Sequence, residues 1–196
     1  VKRGTLTVGS GSNIFIAQSG NTYTYISFNS SDQINVGSAT SGTTNHDQVT
    51  AAVFRDPSAW YHVVVAVDTT QATASNRILF YINGVQITSF STSTYPSQNF
   101  NTIFNAATPH YYAVAPDYLY APFFFDGEIA ETYFIDGQQL TPSSFGEFNS
   151  DGIWVPKPYT GTYGTNGYSL KFAPATPGND SSSNGNNSTF FIINGS

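Results

Sequence analysis

Four of the chain's twelve acidic residues fall within eleven positions of the stretch DGEIAETYFIDGQQLTPSSFG: Asp126, Glu128, Glu131 and Asp136. Closely spaced carboxylates are the working groups of glycoside hydrolases, and retaining enzymes hold the two about 5–5.5 Å apart. Residues two apart on a strand are separated by roughly 6.5–7 Å of backbone, so Asp126 and Glu128 approach that spacing. Strand alternation puts these two on one face and Glu131 on the other. The competing reading, a solvated strand face entering a turn at Asp136-Gly137, is preferred because no second dense carboxylate cluster supports catalysis.

A second group of residues suits binding. The run HYYAVAPDYLYAPFFF is dense in aromatic rings, and Pro116 and Pro122 break it into loop-like pieces. Part of it belongs in a core. Tyr111, Tyr112, Tyr118 and Tyr120 instead offer flat rings with a hydroxyl handle, suited to sugar stacking or to a protein interface. Calcium is the one metal considered, with Asp68, Asp151 and Asp180 as loop ligands of hard-oxygen type, although no EF-hand-like loop is present. His46, His62 and His110 lack the HxxxH spacing of a helical metal site. With no Cys and no GxSxG, nucleophilic catalysis has no signature, and no organic cofactor is expected.

These residues must be positioned by strands. Only 9% of the chain is charged, while Gly, Ser, Thr, Asn and aromatic residues abound, which suits strands and turns better than surface helices. TYTYISF at 22–28 alternates Tyr23 and Tyr25 with Thr24, Ile26 and Phe28. WYHVVVAVD at 60–68 is apolar on both faces, as in a covered strand. In RILFYINGVQITSF at 77–90, Asn83-Gly84 predicts a two-residue type I′ hairpin turn. Further strands are expected at 11–17, 46–54, 111–114, 127–135 and 168–172, with a Thr141-capped helical turn at 141–145. The fold class is all-β: an antiparallel β-sandwich of jelly-roll type with few short helical turns.

The net charge of −6, with six scattered basic residues, argues against nucleic acid as a partner. No apolar run reaches the roughly 18 residues of a membrane helix, so no membrane insertion is expected. The tail PATPGNDSSSNGNNS at 174–188 has almost no apolar residues and reads as a linker, after which FFII restarts an apolar run. The expected division is therefore a sandwich over 1–173, and a linker with the start of a further strand or module over 174–196. With no Met at its start, the chain reads as a segment of something longer.

WYHVVVAVD followed by RILFYING resembles the strand pair of laminin-G-like domains of the concanavalin A-like lectin/glucanase fold. DGEIAETYFIDGQQLTPSSFGE, then GIWVPKPYTGTYGTNGYSLKF and the PGNDSSSNGNN linker, are similar to virion proteins of tailed, marine-type phages. The resemblance implies a non-enzymatic structural or adhesion module on a virion surface: a tail fibre, spike or head-decoration protein. Its implied partners are other virion proteins, copies of itself and host-surface glycans. It also implies that VKRG lies inside an opening strand that pairs near the closing strand at 168–172. Glucanases of this fold carry Glu-x-Asp-x-(x)-Glu; here the order is Asp-x-Glu-x-x-Glu, so a laminarinase-like hydrolase is the alternative expectation. A bacterial secreted lectin module is another.

Overall fold

The computed structural model describes residues 1–4, 6, 12–113 and 125–188. The strands among them are β1 (Lys2–Arg3), β2 (Ser12–Ser19), β3 (Thr22–Phe28), β4 (Ile34–Thr40), β5 (Thr43–Thr50), β6 (Val63–Val67), β7 (Ile78–Ile82) and β8 (Val85–Gln86). They continue with β9 (Phe90–Thr94), β10 (His110–Tyr112), β11 (Gly127–Glu128), β12 (Thr132–Phe134), β13 (Gly146–Phe148), β14 (Trp154–Pro156) and β15 (Tyr168–Leu170). Two 3-10 turns, Ala74–Asn76 and Pro142–Ser144, are the helical elements among the described residues. The all-β antiparallel class is as expected.

The chain forms two compact units: Val1–Glu128 with Gln139–Pro158, and Ile129–Gln138 with Tyr159–Ser196. In the first unit a six-stranded sheet has the order β10-β2-β3-β4-β5-β9, and a three-stranded sheet the order β6-β7-β8. Phe28, Ile34 and Val36, with Ile78 and Phe80 of β7, are nearly inaccessible to solvent. Each such side chain contributes about 1.5–3 kcal/mol by leaving water. Phe28 stacks on Phe125 and meets Phe54 edge-on. Arg3 lies over the Phe28 ring and pairs with Asp32 at 2.8 Å, placing a charge inside this core together with its counter-charge.

Asn83 and Gly84 both take positive φ, as the type I′ turn requires, and Asn83 Oδ1 also accepts the His62 amide. Gly84 and Gly146 both lie against the Trp154 ring, where a Cβ would collide. Trp154 thereby seats the β13–β14 hairpin, which the sequence reading missed.

Several expected elements differ. The strand expected over 127–135 is broken at Glu131, whose φ of 40° is left-handed. Its two pieces pair with different partners: β11 with β1, and β12 with β15. The opening segment therefore pairs at Gly127–Glu128, not at the closing strand. Trp60 makes only an isolated bridge to Lys2, and regular pairing begins at Val63. Thr141 precedes its 3-10 turn without a side-chain cap; its hydroxyl meets that of Ser143 instead.

In the second unit, the Gly/Ser/Asn-rich stretch is ordered through Ser188 by polar contacts rather than apolar burial. Asp180 bridges Leu170 of β15, and its carboxylate accepts from the amides of Ser169, Ser182 and Asn186 and from the Ser182 hydroxyl. The Asn184 and Asn186 side chains donate to carbonyls of residues 164, 165 and 167.

Candidate functional site

Directly opposed residues of antiparallel strands share a face, so the register of the six-stranded sheet sorts its side chains into two sets. One cross-strand row runs Tyr112, Phe15, Ile26, Val36, Gln48 and Ser93; the next runs His110, Ala17, Thr24, Ser38 and His46. Phe15, Ala17, Thr24, Val36, Ser38, His46 and Gln48 are all buried, and the Phe104 packing marks this face as the inner one, although Ile16, Gln18, Ser27, Ala39 and Val49 of the opposite face are buried too. Phe104 stacks between Phe15 and His46, and Phe15 meets His110 edge-on.

The opposite row runs Tyr111, Ile16, Tyr25, Gly37, Asp47 and Thr94. Tyr23 and Ala39 are paired one step along it, and Ser27 and Asn35 one step the other way. Strands about 4.8 Å apart make this row roughly 24 Å long from Tyr111 to Thr94. Its centre is built in a specific way. The Tyr25 ring lies across Gly37, so close that a Cβ there would sit 2.5 Å from the phenolic oxygen. Asn35 reaches that hydroxyl at 3.4 Å and also hydrogen-bonds Asp47. Tyr23 stands beside Tyr25, with ring centroids 6.1 Å apart and planes tilted by 31°.

Electrostatics single out the same place. Burial, then the nearby Asp47 charge, push the Tyr25 hydroxyl up to about 12. Burial raises the Asp47 carboxyl, and the Asn35 hydrogen bond only partly opposes it. None of the ion pairs among the described residues involves Asp47. The result is a half-covered tyrosine floor with an unneutralised carboxylate at one end. It can stack a flat apolar ring face and accept hydrogen bonds from donors beside it.

The residues singled out in the sequence are distributed as follows. Tyr111 joins this outward row, whereas Tyr112 turns inward, its ring 5.3 Å from that of Phe15. Strand parity thus divides the tyrosine run. Tyr118 and Tyr120 lie outside the described residues. Asp126 and Glu128 are exposed, and Glu128 pairs with Lys2 at 3.1 Å. Glu131 belongs to the second unit, where it accepts the Tyr133 hydroxyl at 3.1 Å.

The three aspartates considered for calcium occupy separate loops. Asp68 accepts from Thr70 and Gln71, which hold its carboxyl below the ordinary value. Asp151 is exposed in the β13–β14 turn. Burial alone would raise Asp180, but its hydrogen bonds from Ser169, Ser182 and Asn186 hold it low. Those donors fill the Asp180 oxygens, leaving no lone pairs for a metal. Among the described residues no group of three or more His, Cys, Asp or Glu is placed to hold one.

Tyr23, Tyr25, Asn35 and Asp47 were missed as a site. The signal was available in part: 22–28 alternates, and its Tyr face was visible. The pairing partners were not, because INVGSAT carries no strong strand pattern.

The antiparallel sheets define an all-β protein of the β-sandwich class. Residues 5–144 match the Concanavalin A-like lectin/glucanases superfamily, in its laminin-G-type branch, and the chain belongs to that superfamily. No curated protein and no solved structure matches the chain.

Proposed function

We propose that the chain is a non-enzymatic structural and adhesion module of a phage particle, in a tail fibre, spike or head-decoration protein, which contacts host-surface glycans through the outer face of its six-stranded sheet. The observation that carries this reading is the Tyr23–Tyr25 floor, pinned by Gly37 and Asn35 and flanked by Asp47. The placement on a particle rests on the resemblance of the stretch from Asp126 onward to phage virion proteins. Support for a non-enzymatic role comes from Glu128, whose side chain is 63% exposed and ion-paired, unlike the desolvated acid a glycosidase maintains. Individually weak contacts would sum across many copies on one particle.

A glycan array with the multimerised chain tests the binding half. Signal that falls at least tenfold in Tyr23→Ala and Tyr25→Ala, with the fold intact, is the expected result; stacking losses of about 1–2 kcal/mol predict that size. No signal on any glycan would leave the structural role alone. Reducing-sugar release abolished by Glu128→Gln would replace the reading with the hydrolase.

A further inference from the structure

The charge inventory of the outer sheet face points to the kind of glycan it takes. Asp47 is the only residue charged near neutral pH in the described outward rows; the others are Tyr, Asn, Thr, Ser, Gln, Gly, Ala, Val and Ile. The chain has six basic residues, and five are engaged elsewhere. Lys2 pairs with Glu128, Arg3 and Arg55 with Asp32, and Lys157 with Glu147. Arg77 donates to three backbone carbonyls. The sixth, Lys171, makes no ion pair with Asp47. Asp47 thus holds a partly desolvated negative charge beside two tyrosine rings, with no cation of the chain to meet it.

A partly desolvated carboxylate without a counter-charge is unfavourable, and an incoming cation relieves it. Aromatic faces beside it add attraction for the same charge sign, because the ring quadrupole favours a cation over its face. An anionic sugar would meet only repulsion there. From this juxtaposition we infer that the outer-face site selects glycans bearing a free, protonated amine, such as de-N-acetylated amino sugars, over neutral and anionic ones. This rests on the glycan-binding reading and specifies the ligand class within it.

Isothermal titration of the intact chain at about pH 6, where a sugar amine is protonated, tests it with three probes. They are a glucosamine trimer, an N-acetylglucosamine trimer and a glucose trimer. The expected result is about tenfold tighter binding of the glucosamine trimer, in line with a cation–π contact and a partly screened ion pair. Asp47→Asn should bring the three affinities together while leaving the chain folded with a cooperative thermal transition. Equal affinities for all three probes in the unaltered chain would overturn the inference but leave glycan binding standing. Binding of none of them would overturn the inference, and the glycan array separately decides the broader reading. The ligand comparison needs no substitution, so a poorly folding variant cannot obscure it.

Discussion

On the inner face of the six-stranded sheet, burial pushes the His46 and His110 rings down to about 4, so both are neutral near pH 7. On the outer face, burial raises the Asp47 carboxyl, and among the described residues it makes no ion pair. The inner face is polar in places but carries no charge; the outer face keeps one charge and leaves it uncompensated. Where charge does enter the core, at Arg3 and Asp32, it enters as a pair. The inner polar residues serve packing, while an uncompensated Asp47 charge is what the proposed glycan contact requires.

The sharpest way to break the comparison is at that pair. Arg3 Nη1 donates to Asp32 and to the Phe54 carbonyl, and Asp32 also accepts from Arg55. Arg3→Ala removes one of the two arginines paired with the buried Asp32 carboxylate, and should destabilise the first unit by about 3–5 kcal/mol in urea unfolding. A loss under 1 kcal/mol would mean that the core tolerates a lone charge, and the distinction between the faces would collapse.

Acid tests the inner face. A histidine held near 4 in the folded chain but near 6.5 when unfolded stabilises fully above pH 6.5. That stability is lost as pH falls toward 4, because the unfolded chain binds the protons first. The drop is worth about 3 kcal/mol for each ring. Melting temperature should therefore fall between about pH 6.5 and pH 4, and the fall should be shallower in His46→Phe. A profile flat over that window would place both rings in contact with solvent.

In the second unit the same logic runs through backbone amides in place of cations. Asp180→Ala strands three amides and the Ser182 hydroxyl, and a loss of about 1–3 kcal/mol is expected. Faster hydrogen exchange at Ser169, Ser182 and Asn186, with the first unit unchanged, would locate the effect. Asp180 is held below its ordinary value, so this contribution is full above the unfolded carboxyl range and lost as pH falls through the folded value.

How much of this was legible in the sequence depends on which interactions carry it. The β6–β7 pair and its turn were legible, since VVVAV, ILFYI and Asn83-Gly84 each favour locally what the fold requires. The break at Glu131 was not, because nothing in IAETYF signals a left-handed residue; the two different strand partners impose it. The ordered tail was hidden for a related reason. Composition measures apolar burial, and here one carboxylate with four hydrogen-bond donors does the ordering. The outer-face site needed register: Tyr25, Gly37 and Asp47 meet only once β3, β4 and β5 are aligned.

The smallest expected effect discriminates best between the faces. If Asp47 served stability, Asp47→Asn would weaken the fold. Burial instead disfavours its charged form and no ion pair offsets this, so removing the charge should slightly stabilise the fold near neutral pH. The sign reverses the usual one for a carboxylate: with a raised folded value, the unaltered chain gains stability as pH falls through that value. The two chains should therefore converge on acidification. Melting curves across pH would show the gap closing. A group that destabilises the fold it sits in, on a half-covered tyrosine floor, is what the proposed glycan contact predicts.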